Sequence, residues 1–215
     1  MANGVQFGSY HSSTDLSLFL NAKNIGVPEV KENRISIPAG DGSIDLTEFF
    51  GGVKYEDREL SFIFTKINGD FSEVFSDIQN KLHGKKMDII LDTDTDYYYT
   101  GRVFVNKWTS NVTTGELDIK CICNPYKMNV LTSMYAETIG VTGAIDIVCD
   151  NLRKSVIPTI TISSSVVIDF GTSSIALDAG VHLVTNIVFL EGANTLTFTG
   201  VEGTTIEIEY REGAI

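Results

Sequence analysis

Three aspartates with alternate spacing are the clearest chemical signal in the sequence. Asp92, Asp94 and Asp96 stand in D-x-D-x-D order, which is how the calcium loop of an EF-hand begins. Such a loop also needs a glycine at its sixth position and a bidentate glutamate at its twelfth. Tyr97 and Val103 occupy those positions. The sequence therefore favours a solvated turn whose aspartates bond their own backbone, and we expect no metal.

The three cysteines do not have the spacing of a metal site or a disulfide framework. Cys121 and Cys123 are separated by one residue, Cys149 stands alone, and no histidine is beside them. Zinc sites and disulfide scaffolds need more ligands or more cysteines than this. Residues i and i+2 of a strand share a face, so Cys121 and Cys123 are predicted to be small core residues.

The sequence contains no recognisable catalytic motif. His11 lies in a polar segment, His83 near a predicted helix end and His182 in a predicted strand. No G-x-S-x-G motif or Cys/His pair frames a nucleophile. The 28 acidic residues leave a carboxylate pair for glycoside cleavage open. We expect that the protein is not an enzyme and uses no cofactor.

Charge and hydropathy narrow the classes of partner. The 215 residues carry 16 basic and 28 acidic side chains, a formal net charge of −12. The largest basic cluster is Lys85-Lys86, which we interpret as a solvated loop, with contact to an acidic neighbour as the alternative. Nucleic-acid specificity and binding to anionic lipid are not expected. The amino terminus does not resemble a secretory signal, and no run of about 18 apolar residues predicts a membrane span.

The aspartates lie at the tip of a predicted hairpin that spans residues 83–105. Alternating apolar residues precede an interruption at residues 93–96, and a β-rich run follows it. The second strand of this hairpin begins with Tyr97, Tyr98 and Tyr99. These tyrosines are the candidate interface, because aromatic residues are enriched in interface hot spots. The alternative is that Tyr97 and Tyr99 pack in the core while Tyr98 faces the other side.

One amphipathic helix is predicted at about residues 70–83. Asp70 and Glu73 form a capping pair, Gly84 ends the helix, and Lys81 and His83 suit its last turn. The apolar residues that recur at helical spacing are Phe71, Val74, Phe75, Ile78 and Leu82. A helix this short must pack on the neighbouring sheet.

The remaining chain alternates short apolar runs with turns, and predicts a mainly β protein of two domains. We place the domains at residues 1–130 and 131–215. The second domain is predicted to be a sandwich of six strands with turns between them. Those six strands are predicted at residues 157–163, 165–170, 174–177, 181–189, 195–199 and 204–210.

Several of these segments together resemble the distal tail protein (Dit) of long-tailed phages. The resemblance covers residues 8–127 as an ordered set and extends to residues 131–215 only as a compact sandwich. The segments that carry it are Gly8-Ser9-Tyr10-His11-Ser12, the run from Ile37 to Thr47, Tyr55 to Arg58, Leu82-His83-Gly84-Lys85, Leu91 to Arg102, and Cys123-Asn124-Pro125-Tyr126-Lys127.

The resemblance implies a structural component of the virion at the tail tip, made in the bacterial host cytoplasm. In such a protein a β-barrel-like amino-terminal domain with one helix forms a homo-hexameric ring. The ring is a baseplate hub that joins the tail tube protein to the tail-tip protein, and receptor-binding or accessory baseplate proteins can attach. In a ring, the Tyr97–Tyr99 strand could both pack and be covered by the next subunit.

The resemblance also implies a galectin-like carboxy-terminal sandwich, and with it an alternative function in host adhesion through cell-wall carbohydrate. Galectins hold sugar with His-x-Asn-x-Arg, a stacking Trp and Glu-x-Arg. Here Asn186 follows His182 by four places, no Trp follows Trp108, and Glu209-Tyr210-Arg211 is a short match.

Overall fold

The computed structural model describes residues 3–49 and 51–215. It is mainly β with several antiparallel sheets, as predicted, and one helix lies within the described ranges. The chain divides into two compact units, one running to Lys127 and including Ile215, the other spanning Met128–Ala214. In the described parts of the chain, no helix is long and apolar enough to cross a membrane.

Nine strands and the helix α1 (Phe71–Leu82) lie in the part of the first unit that the structure describes. The strands are β1 (Val5–Phe7), β2 (Tyr10–His11), β3 (Phe19–Ile25), β4 (Arg34–Ser36), β5 (Ser43–Asp45), β6 (Arg58–Ile67), β7 (Lys86–Leu91), β8 (Asp94–Ser110) and β9 (Thr114–Cys123). Seven of them form one antiparallel path in the order β2-β1-β7-β8-β9-β6-β3, and β4 pairs with β5 in a separate hairpin.

The seven-stranded sheet curls around its own core. Four strand spacings separate β1 from β6, which is about 19 Å across a flat sheet. Yet the ring centroids of Phe7 on β1 and Phe62 on β6 are 5.7 Å apart. The sheet therefore closes over the apolar side chains that point inward, among them Leu60, Phe62 and Phe64 of β6. This curvature agrees with the barrel-like shape expected of the amino-terminal part.

The helix begins and ends at the predicted signals. The Asp70 carboxylate accepts hydrogen bonds from the backbone N–H groups of Ser72 and Glu73 at 3.0 and 3.2 Å. His83 is the C-cap, and Gly84 follows with φ of +75°, a conformation that glycine adopts without strain. The cap residues therefore define the helix as the sequence predicted.

One face of the helix packs against the sheet. Ile78 and Leu82 are fully buried in the core of the first unit. Phe75 stacks on Trp108 of β8 with ring centroids 5.5 Å apart. The helix is thus held by tertiary contacts, as its length requires.

The second unit is a sandwich of two four-stranded antiparallel sheets. Its strands are β11 (Ser133–Thr138), β12 (Ala144–Asn151), β13 (Thr159–Ile162), β14 (Val166–Phe170), β15 (Ser173–Leu177), β16 (Gly180–Leu183), β17 (Gly192–Gly200) and β18 (Thr205–Tyr210). The short strands β10 (Lys127–Asn129) and β19 (Gly213–Ala214) pair with each other and belong to neither sheet of the sandwich. The sheet orders are β11-β18-β13-β16 and β12-β17-β14-β15.

Both sheets of the second unit contribute to one apolar core. Ile160 of β13 and Ile208 of β18 come from one sheet, and Ile168 of β14 and Phe198 of β17 from the other; all four are fully buried. Alternate residues such as Glu207 and Thr197 lie on the outer faces. This alternation is the strand pattern that the sequence showed.

Three details differ from the sequence prediction. The hairpin turn is only Asp92–Thr93, because β8 already begins at Asp94 within the expected interruption. The predicted strand 181–189 ends at Leu183. Strands β11 and β12 were not predicted, although β12 carries alternating apolar residues; β11 is an edge strand whose side chains are largely exposed, so it lacks a clear pattern.

Candidate interaction surface

The candidate residues lie on the β7–β8 hairpin, whose tip departs from regular pairing. Ile89 is opposite Tyr99, but Leu91 is opposite Asp94, so β8 carries three extra residues between the paired positions. A bulge of this kind bends the strand and redirects its side chains. The spacing of the aspartates therefore does not place them on one metal-binding face.

Asp92 binds the amino-terminal segment instead of its own turn. One carboxylate oxygen accepts a hydrogen bond from the Gly4 backbone N–H at 2.8 Å, and the other lies 3.1 Å from His11 Nε2. The Asp92 N–H in turn donates to the Gly4 carbonyl at 3.2 Å. The prediction that the aspartates bond their own backbone is wrong for Asp92, because its carboxylate binds the Gly4 N–H and the His11 ring, which are 88 and 81 residues away in the sequence.

Asp94 and Tyr97 share one cation. The ammonium group of Lys127 lies 2.7 Å from an Asp94 carboxylate oxygen and 4.0 Å from the centroid of the Tyr97 ring. Both distances are those of an effective ion pair and an effective cation–π contact. Tyr97 is half-buried and its ring is held in place by Lys127.

Tyr99 belongs to the core. It is 4% exposed, and the buried guanidinium of Arg58 lies 5.3 Å from its ring centroid. Burial raises the pKa of the Tyr99 hydroxyl, an effect that the positive charge of Arg58 opposes. Tyr99 is therefore a core residue, as the alternative in which Tyr97 and Tyr99 pack in the core predicted for it. Tyr98 is half-buried and adjacent, and a role for Tyr97, Tyr98 and Tyr99 in an interface stays a prediction.

A serine, a histidine and an aspartate converge where the amino-terminal turn meets the hairpin. Ser13 Oγ lies 3.1 Å from His11 Nδ1, and Asp92 is on the opposite side of the ring. These are the residue types of a hydrolase triad. However, Nδ1 also accepts from the backbone N–H groups of Ser13 and Thr14, and Asp92 also holds Gly4. The group acts as a clamp that fixes the amino-terminal turn, and no local sequence motif could have revealed it.

The cysteines lie in the cores, as predicted for Cys121 and Cys123. All three are free and fully buried, and burial raises the pKa of the Cys123 and Cys149 thiols to about 12. Such thiols are poor nucleophiles and poor metal ligands. Residues 3–49 and 51–215 contain no group of three or more His, Cys, Asp or Glu side chains placed to hold a metal ion.

His182 and Arg211, which were compared with the sugar-binding residues of galectins, form hydrogen bonds within the second unit. His182 Nε2 lies 2.7 Å from the Asp178 carbonyl oxygen. The Arg211 guanidinium donates to the Asn129 carbonyl and to the Thr132 hydroxyl, each at 3.2 Å. Both side chains are therefore engaged with residues of their own unit.

Comparison with known proteins identifies the fold. No protein-family model and no curated protein sequence matches the chain. Among solved structures, the chain is similar to the crystal structure of the Dit protein of phage SPP1, described as a paradigm of the hub adsorption apparatus in phages that infect Gram-positive bacteria. The match has a TM-score of 0.67 at 14% sequence identity and covers 98% of this chain and 99% of the other. The chain therefore has the fold of a phage Dit protein.

Proposed function

We propose that this protein is the distal tail hub of a long-tailed phage, a structural protein of the virion. The observation that carries the proposal is the fold shared with SPP1 Dit along nearly the whole of both chains. A match confined to one unit would support only a common β domain. Here both the curled sheet and the sandwich are included, so the likeness extends to the domain composition.

As a hub, the protein assembles into a ring of six copies that joins the tail tube to the tail-tip protein. The first unit forms the ring, and the second is a galectin-like projection from it. Identical subunits with two different contact surfaces close into a ring when the rotation between them permits it. Accessory baseplate or receptor-binding proteins attach to its rim.

The role is structural and not catalytic. The Ser13–His11–Asp92 group is used to hold the amino-terminal turn, and the buried thiols are protonated at neutral pH. Carbohydrate binding by the second unit is not favoured, because His182 and Arg211 already bind backbone or side-chain oxygens of their own unit.

The mass of the full-length protein in solution tests the proposal. Light scattering across a concentration series should reveal a species of six times the 23.5 kDa chain, and negative-stain imaging should show a ring with a central opening. If the protein stays monomeric alone and also when mixed with the tail-tip protein of the same phage, the hub proposal fails.

A further inference from the structure

Arg58 is a buried cation that no acidic side chain of the described residues neutralises. It is only 4% exposed, and a guanidinium cannot be deprotonated in a protein. No carboxylate in the described ranges lies within ion-pair distance of it. Its Nε atom is fully buried and has no hydrogen-bond partner among the described residues. Because burial of an unpaired charge is very costly, a group of this kind indicates a bound counter-ion.

The strand register places Arg58 inside the curled sheet. Arg58 is the first residue of β6 and lies opposite Cys123 of β9, which in turn lies opposite Gly101 of β8. Tyr99 precedes Gly101 by two residues and therefore faces the same side. The central carbon of the guanidinium lies 5.3 Å from the centroid of the Tyr99 ring, which is a cation–π distance. This contact orients the guanidinium but supplies no negative charge.

The Tyr99 hydroxyl lies beside the same cation. Burial raises the pKa of this hydroxyl, and the positive charges of Arg58 and Lys127 oppose the rise. Arg58 also lowers the pKa of Tyr99 through a hydrogen bond. A guanidinium can only donate, so the hydroxyl oxygen is the acceptor in this bond. The hydroxyl hydrogen can then donate to a further group.

The third polar group of this cluster is the ammonium of Lys127, which is already paired. It lies 2.7 Å from a carboxylate oxygen of Asp94, and both side chains are partly exposed. Since Asp94 neutralises Lys127, the charge of Arg58 is the one that remains uncompensated. The partial exposure of Lys127 and Asp94 gives solvent and small ions a route to the cluster.

A small oxyanion is the ligand that these donors suit. The N–H groups of a guanidinium form a planar fork, which matches two oxygens of one carboxylate or phosphate group. A hydroxyl and an ammonium beside the fork add donors for the same group. Chloride offers no such pair of oxygen acceptors, so it serves as the reference anion.

We propose that Arg58, Tyr99 and Lys127 form a binding site for one compact oxyanion, a phosphate or a carboxylate. The guanidinium of Arg58 binds two oxygens of the anion, and the Tyr99 hydroxyl and the Lys127 ammonium donate to it. The site lies within the first unit and is independent of the proposed hub role. Binding stabilises the folded state, because the unfolded chain does not bring these donors together.

Urea unfolding of the full-length protein, followed by Trp108 fluorescence, tests the site. The measurement is made near neutral pH at constant ionic strength, with sodium chloride replaced by sodium phosphate or by sodium acetate. At about 20 mM anion and a dissociation constant on the order of 1 mM, binding should raise the folding equilibrium constant about twentyfold. A response to phosphate alone identifies the ligand as phosphate, and a response to both anions identifies compact oxyanions in general. No gain over chloride with either anion overturns the inference.

Three variants separate binding at this site from the general effect of salts. Phosphate also stabilises proteins because it is excluded from their surface, and this part should persist in every variant. Arg58→Met should abolish the specific gain. Tyr99→Phe keeps the ring and removes only the hydroxyl, so it should weaken anion binding about three- to tenfold. Lys54→Gln, the control, removes an exposed cation of the same unit and should respond like the wild type.

The conservative Tyr99→Phe variant keeps the inference open to refutation if Arg58→Met does not fold. A Tyr99→Phe protein that binds phosphate and acetate as tightly as the wild type overturns the site. An Arg58→Met protein that keeps the full gain, or a Lys54→Gln protein that loses it, also overturns it. None of these outcomes bears on ring assembly, which light scattering tests separately.

Discussion

Asp92 links two parts of the first unit that are far apart in sequence. Its carboxylate binds Gly4 and His11, and a side chain on Gly4 would meet the His11 ring at 2.6 Å. The segment is thus closely packed as well as hydrogen-bonded. Loss of the carboxylate would leave the Gly4 N–H and the His11 ring without their acceptor.

We predict that Asp92→Ala lowers the free energy of unfolding of the first unit by about 1–3 kcal/mol, since partly buried donors lose their acceptor. Guanidinium unfolding followed by the fluorescence of Trp108, the one tryptophan of the chain, measures this change. The matched control is Asp96→Ala, which removes an exposed aspartate from the same hairpin and should change stability by less than about 0.5 kcal/mol. Equal effects of the two substitutions would contradict the clamp.

The buried thiols predict a loss of stability in alkali. Burial raises the pKa of Cys123 and Cys149 to about 12 in the folded protein, whereas an unfolded thiol ionises near 8.5. Above that pH the unfolded state binds fewer protons than the folded state, so the folded protein becomes less stable as the pH rises toward about 12. Each of these thiols lowers the folding equilibrium constant by up to about tenfold per pH unit.

Unfolding measured between pH 8 and 11 tests this dependence, and Cys149→Ala should make the decline in the second unit shallower. A thiol reagent at pH 8 should modify the folded protein far more slowly than the protein in denaturant. Comparable rates in the two states would show that the thiols are accessible.

At the scale of elements, the helix depends on its cap and on the sheet below it. Asp70 satisfies two backbone donors that the helix itself cannot pair. We predict that Asp70→Ala destabilises the first unit by about 1 kcal/mol, the usual contribution of an N-cap. Because Phe75 stacks on Trp108, the fluorescence midpoint reports the change directly.

Ser76→Ala is the control for the cap prediction, because Ser76 is exposed in the middle of the same helix and alanine has the higher helix propensity. It should leave stability unchanged or raise it slightly. A cap substitution that behaves like Ser76→Ala would mean that packing alone fixes the start of the helix.

At the scale of the whole molecule, each unit has its own apolar core. Independent folding of residues 1–130 and 131–215 stays a prediction, and the cores indicate how to test it. We predict that Phe198→Ala, which empties a fully buried site in the second unit, lowers the stability of that unit by about 3–5 kcal/mol. The Trp108 transition should not move, because separate units have additive energetics.

Circular dichroism detects both units, so its unfolding curve should become biphasic in Phe198→Ala. The reciprocal control is Phe62→Ala in the first core, which should shift the Trp108 transition. If Phe198→Ala moved the fluorescence midpoint equally, the two units would unfold as one.

The sequence alone predicted the elements whose signals are local. Helix α1, its Asp70 cap and the β7–β8 hairpin follow from side-chain periodicity and cap residues that lie within a few positions of one another. Cys121 and Cys123 were placed in the core for the same reason, because alternation in a strand determines which residues share a face. Mainly β character and a likeness to the Dit family were also readable from the sequence, and the fold confirms both.

The tertiary structure decided which distant residues meet and which faces are covered. Asp92 binds His11 across 81 positions, and Tyr99 enters the core while Tyr97 remains half-buried beside Lys127. Ile35, Ile37 and Ile44 of the β4–β5 hairpin and its turn show the same limit, since they alternate with polar residues and are nevertheless 42 to 51% exposed. Periodicity reports that a face is apolar, but only the packing of other segments, or of another subunit, determines what covers it.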